Sequence, residues 1–189
     1  ATTDNSSAVF TLHSGNWLSN AKSNTTFEIG NGGSTAISRS YKALRINNRI
    51  INDIDKAPLT PEQKNEILGQ AYFYRSWFYF QIIKRYGGMP IIDKVFEGGD
   101  DDIPRVTYHE SHDWMMEDIQ KAIYMLPDSW DDPNYGRPTK ITAMALKEWA
   151  QLFDASPLMQ NDLNSTENKG YDTERAKSAA KSAYEVIRY

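Results

Sequence analysis

Cysteine is absent from all 189 residues. Disulfides, thiol nucleophiles and thiolate metal sites are therefore excluded together, and any lipid carried on a cysteine is attached outside this sequence. Long apolar runs are also missing. No stretch reaches the roughly 18 residues a spanning helix needs, and no charged leader with an apolar core opens the chain. Positive charge is not in excess: 21 Lys and Arg stand against 25 Asp and Glu, a net charge of -4. That balance argues against a phosphate-binding surface and against nucleic acid as a partner. With only three histidines, imidazole chemistry is sparse.

What is present is helical. Residues 1–34 are rich in Asn, Ser, Thr and Gly and read as a long loop region. From about Thr35, "AISRSYKALRINNRIINDID" repeats apolar residues at helical spacing: Ile37, Tyr41, Leu44, Ile46, Ile50, Ile51 and Ile54. A second helix is announced by "APLTPEQ", with Thr60 as N-cap, Pro61 at the first helical position and Gln63 completing a capping box. Along it, Ile67, Leu68, Ala71, Tyr74, Phe78 and Ile82 form one face, and Phe73, Trp77 and Phe80 an adjacent one. So wide an apolar arc predicts burial on two sides. Arg75 falls inside the arc, and leaving a guanidinium buried and unpaired costs several kcal/mol, so a buried carboxylate or carbonyl partner is expected. Gly87 suits the left-handed position that ends this helix, and Pro90 forbids its continuation.

Thr107 and Glu110 form a second capping box, opening a helix that runs to about Leu126 and carries Trp114, Ile119, Ala122 and Ile123; Pro127 closes it. A fourth helix starts near Pro138 and Thr139, with Ile141, Ala145, Leu146, Trp149 and Leu152 as its apolar side, and ends near Ala155 to Pro157. A last one starts near Asp172, its small residues Ala176, Ala179, Ala180 and Ala183 suited to close packing. The starts at Thr107, Thr139 and Thr173 are 32 and 34 residues apart, near the ~34-residue tetratricopeptide period, but each interval holds one helix and a long loop where a true repeat holds two. No segment alternates as a strand does. Both ends read as cut: the chain opens on the polar "ATTDNSSAVF" and finishes inside "ERAKSAAKSAYEVIRY" without a glycine or proline stop.

Chemistry is scarcer than structure. In "HESH", His109 and His112 are three apart, not the four of a zinc protease, and the capping box already explains Glu110. "GGDDD" at Gly98 to Asp102 lacks the alternating oxygen spacing of a calcium loop and reads as a solvated turn. Nothing fixes a separation or a raised pKa for a glycosidase pair such as Asp128 and Asp132. Aromatic rings outside the helical periods are a better lead. Trp17 with Asn20 in "SGNWLSN", and Trp130 with Tyr135 in "SWDDPNYG", sit among Asn, Asp and Ser. Sugar C–H faces stack on such rings while hydroxyls take up the amides and carboxylates, and the competing reading is a ring folded over a helix end.

Three ordered segments carry a family resemblance. "GQAYFYRSWFYFQIIKRYGGMPII", "PRVTYHESHDWMMEDIQKAIYMLP" and "GRPTKITAMALKEWAQLFDASP", preceded by "SYKALRINNRIINDI", together resemble the SusD/RagB family of outer-membrane lipoproteins of gut and oral Bacteroidetes, over roughly Ser40 to Tyr189. The resemblance implies an all-α fold of irregular tetratricopeptide-like helical pairs with long loop insertions. It implies one SusD-like helical domain across 1–189, loop-rich over 1–34 and helical over 35–189, as the N-terminal portion of a longer protein. It further implies a lipid-anchored protein on the outer face of the outer membrane, forming a lid on a SusC-like TonB-dependent transporter and capturing glycans, or peptides in some members, for import. Such proteins bind and do not catalyse, and neither cofactor nor metal is expected. Arg75 matches the arginine of the family's Arg-Ala pattern, with Ser76 in place of alanine; Arg105, Gly136 and Arg137 match other motif positions, and these, with Gly87 and Pro90, are expected to be structural. Ligand contacts are expected from variable loops, which makes Trp17, Asn20, Trp130 and Tyr135 the candidate binding residues. A helical-repeat scaffold for a protein partner, or a helical-barrel glycosidase, are the competing classes.

Overall fold

In a computed structural model, the structure describes residues 36–96, 102–160 and 170–189. Among these residues five α-helices follow one another: α1 (Ala36–Asp53), α2 (Pro61–Tyr86), α3 (Tyr108–Met125), α4 (Lys140–Asp154) and α5 (Thr173–Arg188). Short 3-10 turns at Ile54–Lys56 and Asp132–Asn134 interrupt the connections. Among the described residues there is no strand. Each helix packs on the next in the chain, and α2 also touches α4. The fold is all-α, as the periodicity and the resemblance predict.

The start signals work as the sequence indicates. Thr60 Oγ1 accepts from the Gln63 amide at 3.3 Å while Gln63 Oε1 accepts from the Thr60 amide at 3.0 Å. Thr107 and Glu110 repeat the exchange at 3.1 and 2.9 Å, and one Asp172 carboxylate oxygen accepts from the amides of Glu174 and Arg175. Donors that a helix start would leave unmet are thus paired by side chains within three residues. At the other end of α2, the Gly87 amide donates to Ile83 O, with Gly87 at φ 75° and ψ -158°.

α2 lies at the centre. Ala71, Phe73, Tyr79, Phe80, Ile82 and Ile83 are buried, joined in the core by Leu44 of α1, Tyr108, Met115, Ile119 and Ala122 of α3, and Ala143, Leu146 and Ala150 of α4. Expectations about helix faces need correction on four helices. On α1, Ile46 is 60% exposed. On α2, Tyr74 is 38% exposed while Tyr79, outside both expected faces, is fully buried. The helix touches three others, α1, α3 and α4, so burial extends around it beyond two sides. On α4, Ala145 is exposed, Trp149 is 40% exposed and Leu152 59%, whereas Ala143, Ala150 and Asp154 face inward with Leu146. A helix held against three neighbours uses small side chains where backbones approach, and its large ring lies at the rim. On α5, likewise, only Ala179 of the four alanines is buried.

Candidate functional site

Two buried polar networks join the helices. In the first, Arg75 is 4% exposed and Asp118 2%. Arg75 Nε donates to Asp118 Oδ2 at 2.5 Å and Nη2 to Oδ1 at 2.8 Å, a two-pronged pair between α2 and α3. Nη1 donates to Asn48 Oδ1 at 2.8 Å and to Asp93 O at 3.3 Å. Asn48 in turn donates to Ile92 O and Lys94 O. The guanidinium carbon lies 5.2 Å from the Trp114 ring centre and 5.4 Å from that of Tyr72. The expected buried partner is therefore Asp118, and the cation also ties α1 and the extended segment 91–94 to the centre. Four of its five N–H donors are met within the protein.

The second network explains the two histidines. His109 Nδ1 lies 2.9 Å from Asp154 Oδ1, and Arg175 Nη1 donates to Asp154 Oδ2 at 2.5 Å. His112 Nδ1 lies 3.0 Å from Asp113 Oδ1 and 3.6 Å from Asp154 Oδ2. One nearly inaccessible carboxylate at the end of α4 thus gathers side chains from α3 and α5. The His112 bond, reinforced by Arg175, holds the partly exposed Asp113 carboxyl down to about 2 against the opposing effect of burial. Among the described residues, no cluster of three His, Cys, Asp or Glu side chains is placed to hold a metal ion. Asp154 and Arg175 gave no signal in the sequence, because their meeting depends on how consecutive helices α4 and α5 pack, not on a local spacing.

The remaining motif residues finish helix ends. Arg105 Nε donates to Gly88 O at 2.9 Å and Nη2 to Tyr86 O at 2.8 Å, meeting carbonyls that the end of α2 leaves free. Tyr79 OH donates toward Met89 O at 3.0 Å, and Ser111 Oγ accepts from the Met89 amide. Burial pushes the Tyr79 hydroxyl up to about 12 and raises Tyr108 further, since a phenolate so enclosed loses its hydration. The sign follows: with the folded pKa above the ordinary value of 10.0, this stabilisation is complete below pH 10 and is lost as pH rises toward 12. We expect Tyr79 alone to remove about 2 to 3 kcal/mol across that window. Urea titrations at pH 8, 10 and 11.5 should show a smaller alkaline loss for Tyr79→Phe than for the parent; equal losses would sink the assignment.

Tyr124, Tyr171, Tyr184 and Tyr189 are exposed rings, and rings also reach the surface in two groups. Trp130 is half-buried against the core, donates from Nε1 to Pro138 O at 2.8 Å and lies under Arg137, whose guanidinium carbon is 5.6 Å from its ring centre. Gly136, at φ 92°, turns the chain between them. Tyr135, by contrast, is 90% exposed beside Asp131, Asp132 and Asn134, with Asn134 Nδ2 donating to Asp131 Oδ1 at 2.6 Å. The sequence placed both rings in one loop; the structure uses the tryptophan for packing and leaves the tyrosine face free. Trp17 and Asn20 lie outside the described residues, as do Gly98 to Asp101. The second place is the rim of α2 and α4, where Trp77 and Trp149 centres are 5.9 Å apart and Lys84 Nζ stands 4.2 Å from the Trp149 ring centre. Burial, with the charge of neighbouring Arg85, pushes Lys84 down to about 8.

Helices stacked each on the next and fastened by buried ion pairs define an all-α array of the helical-repeat class. The chain belongs to the SusD-like family described as "Starch-binding associating with outer membrane", whose model matches residues 1–148. A SusD-like protein of Formosa agariphila is 28% identical over 102 residues, which is 53% of this chain and 20% of that one. A SusD-like protein of Bacteroides fragilis NCTC 9343 superposes with a TM-score of 0.67 and 31% identity over 80% of this chain and 26% of its own. A laminarin-binding SusD-like protein shares the fold at a TM-score of 0.65 and 19% identity, over 80% of this chain and 29% of its own. The chain therefore spans between a fifth and a third of the length of these relatives.

Proposed function

We propose that this chain is the N-terminal portion of a cell-surface glycan-binding protein that captures oligosaccharide and passes it to a SusC-like TonB-dependent transporter, without catalysis. The family match carries the reading. Neighbours of the same fold support it: one binds laminarin and another was determined with a xylogluco-oligosaccharide. The native protein is held at the outer face of the outer membrane by a lipid attached beyond this sequence. Within the chain, Tyr135 is the described ring best placed to stack on a sugar; Trp130 supports its loop, and Trp17 and Asn20 contribute from the loop-rich region. The committed donors of Arg75, Arg105 and the Asp154 cluster take no part.

Calorimetry with starch, laminarin and xyloglucan oligosaccharides, with reducing ends followed in parallel, tests this. Heat without new reducing ends is the expected result, and reducing ends produced by the purified protein would overturn it in favour of a glycosidase. Tyr135→Ala should weaken binding about two- to tenfold with an unchanged melting temperature, while Trp130→Ala should lower the melting temperature because its indole N–H and packing are used internally. A peptide that binds where every glycan fails would replace the ligand class.

A further inference from the structure

Charge is unevenly placed in a chain whose net charge is -4. Among the five described helices α1 holds the largest excess of positive charge: Arg39, Lys42, Arg45 and Arg49 stand against Asp53, and no acid lies between Ala36 and Asn52. Lys42, Arg45 and Arg49 are exposed, and with Ile46 they follow one another at three- and four-residue spacing on one side of the helix. Ile46, 60% exposed, lies among the three cations. Among the described residues neither Lys42 nor Arg45 has a carboxylate within ion-pair distance, and Arg49 lies near Asp53 but beyond that distance. This arrangement does not serve the fold. Like charges three and four residues apart weaken a helix, and α1 is held by its other side, where Leu44 joins the core and Asn48 binds the segment 91–94.

We propose that this face of α1 binds an acidic polysaccharide, a linear glycan carrying carboxylate or sulfate groups, with Lys42, Arg45 and Arg49 each meeting an acidic group and Ile46 against a sugar ring between them. The proposal rests on the reading that the protein takes glycans, and adds to it a ligand class and a surface apart from the Tyr135 loop. Charge complementarity selects the occupant. From Lys42 to Arg49 the helix rises about 10 Å, so one small anion cannot engage all three cations, whereas a chain with repeated charges can. A single exposed ion pair is weak, and useful affinity here needs several at once. Each guanidinium fork can take two oxygens of a carboxylate or sulfate. A lipid surface fits less well: a helix lying in a membrane interface needs its apolar side for lipid, and that side of α1 is spent on the core.

The test titrates the full-length natural polypeptide with polygalacturonate, dextran sulfate and unmodified dextran. Both polyanions should bind more tightly than dextran, and their affinity should fall steeply as salt rises. The combined variant Lys42→Gln, Arg45→Gln and Arg49→Gln should weaken both about tenfold or more and flatten the salt dependence, with no fall in melting temperature because only exposed side chains change. Lys177→Gln with Lys181→Gln on α5 is the control for charge in general and should change little. A parent protein indifferent to both polyanions would overturn the proposal. So would a triple variant that binds them as the parent does, or a control that weakens them equally. Vesicles containing phosphatidylglycerol that the parent binds and the triple variant does not, with the polyanions unaffected, would make a lipid surface the partner instead. If neutral oligosaccharides bind and polyanions do not, this proposal fails alone; if every glycan fails, the capture reading falls with it.

Discussion

Arg75→Leu is expected to lower stability by about 3 to 5 kcal/mol, read as a shift of the urea midpoint at constant slope. Removing the guanidinium leaves Asp118, 2% exposed, as a buried charge whose remaining cation is Lys121, 3.6 Å away and itself near the surface. It also strips Asn48 Oδ1 and Asp93 O of their donor. The cost is therefore mostly the penalty of what is left behind, not the value of the pair itself. That distinction is measurable: Arg75→Leu combined with Asp118→Leu should recover much of the loss, because two apolar side chains of similar volume need no partner. A single-variant loss below about 1 kcal/mol, or a double variant that loses the sum of both singles, would refute this account. Arg75→Lys should also be costly, since an ammonium cannot span the two carboxylate oxygens and Asn48 together or lie flat between Trp114 and Tyr72.

The sequence made this network half legible. Arg75 was conspicuous because it interrupts an aromatic run, and burial of a cation demands a partner; that Asp118 would be the partner was not readable, because 43 residues and a helix-to-helix packing choice separate them. Helix starts were legible to the residue, since a capping box is local and depends only on side chains three apart. Helix faces were less so. Periodicity identifies an apolar side, but on α4 the largest apolar residue, Trp149, went to the rim while Ala143 and Ala150 took the interior, because approach distance to three neighbours selects for volume and not hydrophobicity. Trp130 and Tyr135 show the same limit at the candidate site. Both fit a sugar platform by residue type, and what separates them is an indole N–H bond to Pro138 O that depends on how the loop closes.

Gly88→Ala should be the most damaging Gly→Ala change among the described residues, at about 3 kcal/mol or more. A Cβ there would lie 2.0 Å from Val106 O, 2.4 Å from the Thr107 carbonyl carbon and 2.7 Å from Thr107 O. All three are backbone atoms, so no side chain can swing aside. Nor is the backbone free to retreat: Thr107 holds the capping box that starts α3, and Arg105 grips Gly88 O at 2.9 Å. The neighbouring glycine is needed for a different reason. Gly87 sits at φ 75° and ψ -158°, a region essentially reserved for glycine, yet its nearest contact for a Cβ is the tip of Arg105 at 3.9 Å. Gly87→Ala should therefore cost only the backbone strain, about 1 to 3 kcal/mol. Thermal melts of the two variants separate the causes: the larger loss must fall on Gly88, and Gly88→Ser should be at least as damaging as Gly88→Ala. If Gly87→Ala proved the worse of the two, the close approach of the α2 terminus to the start of α3 would not be what requires Gly-Gly before Met89 and Pro90.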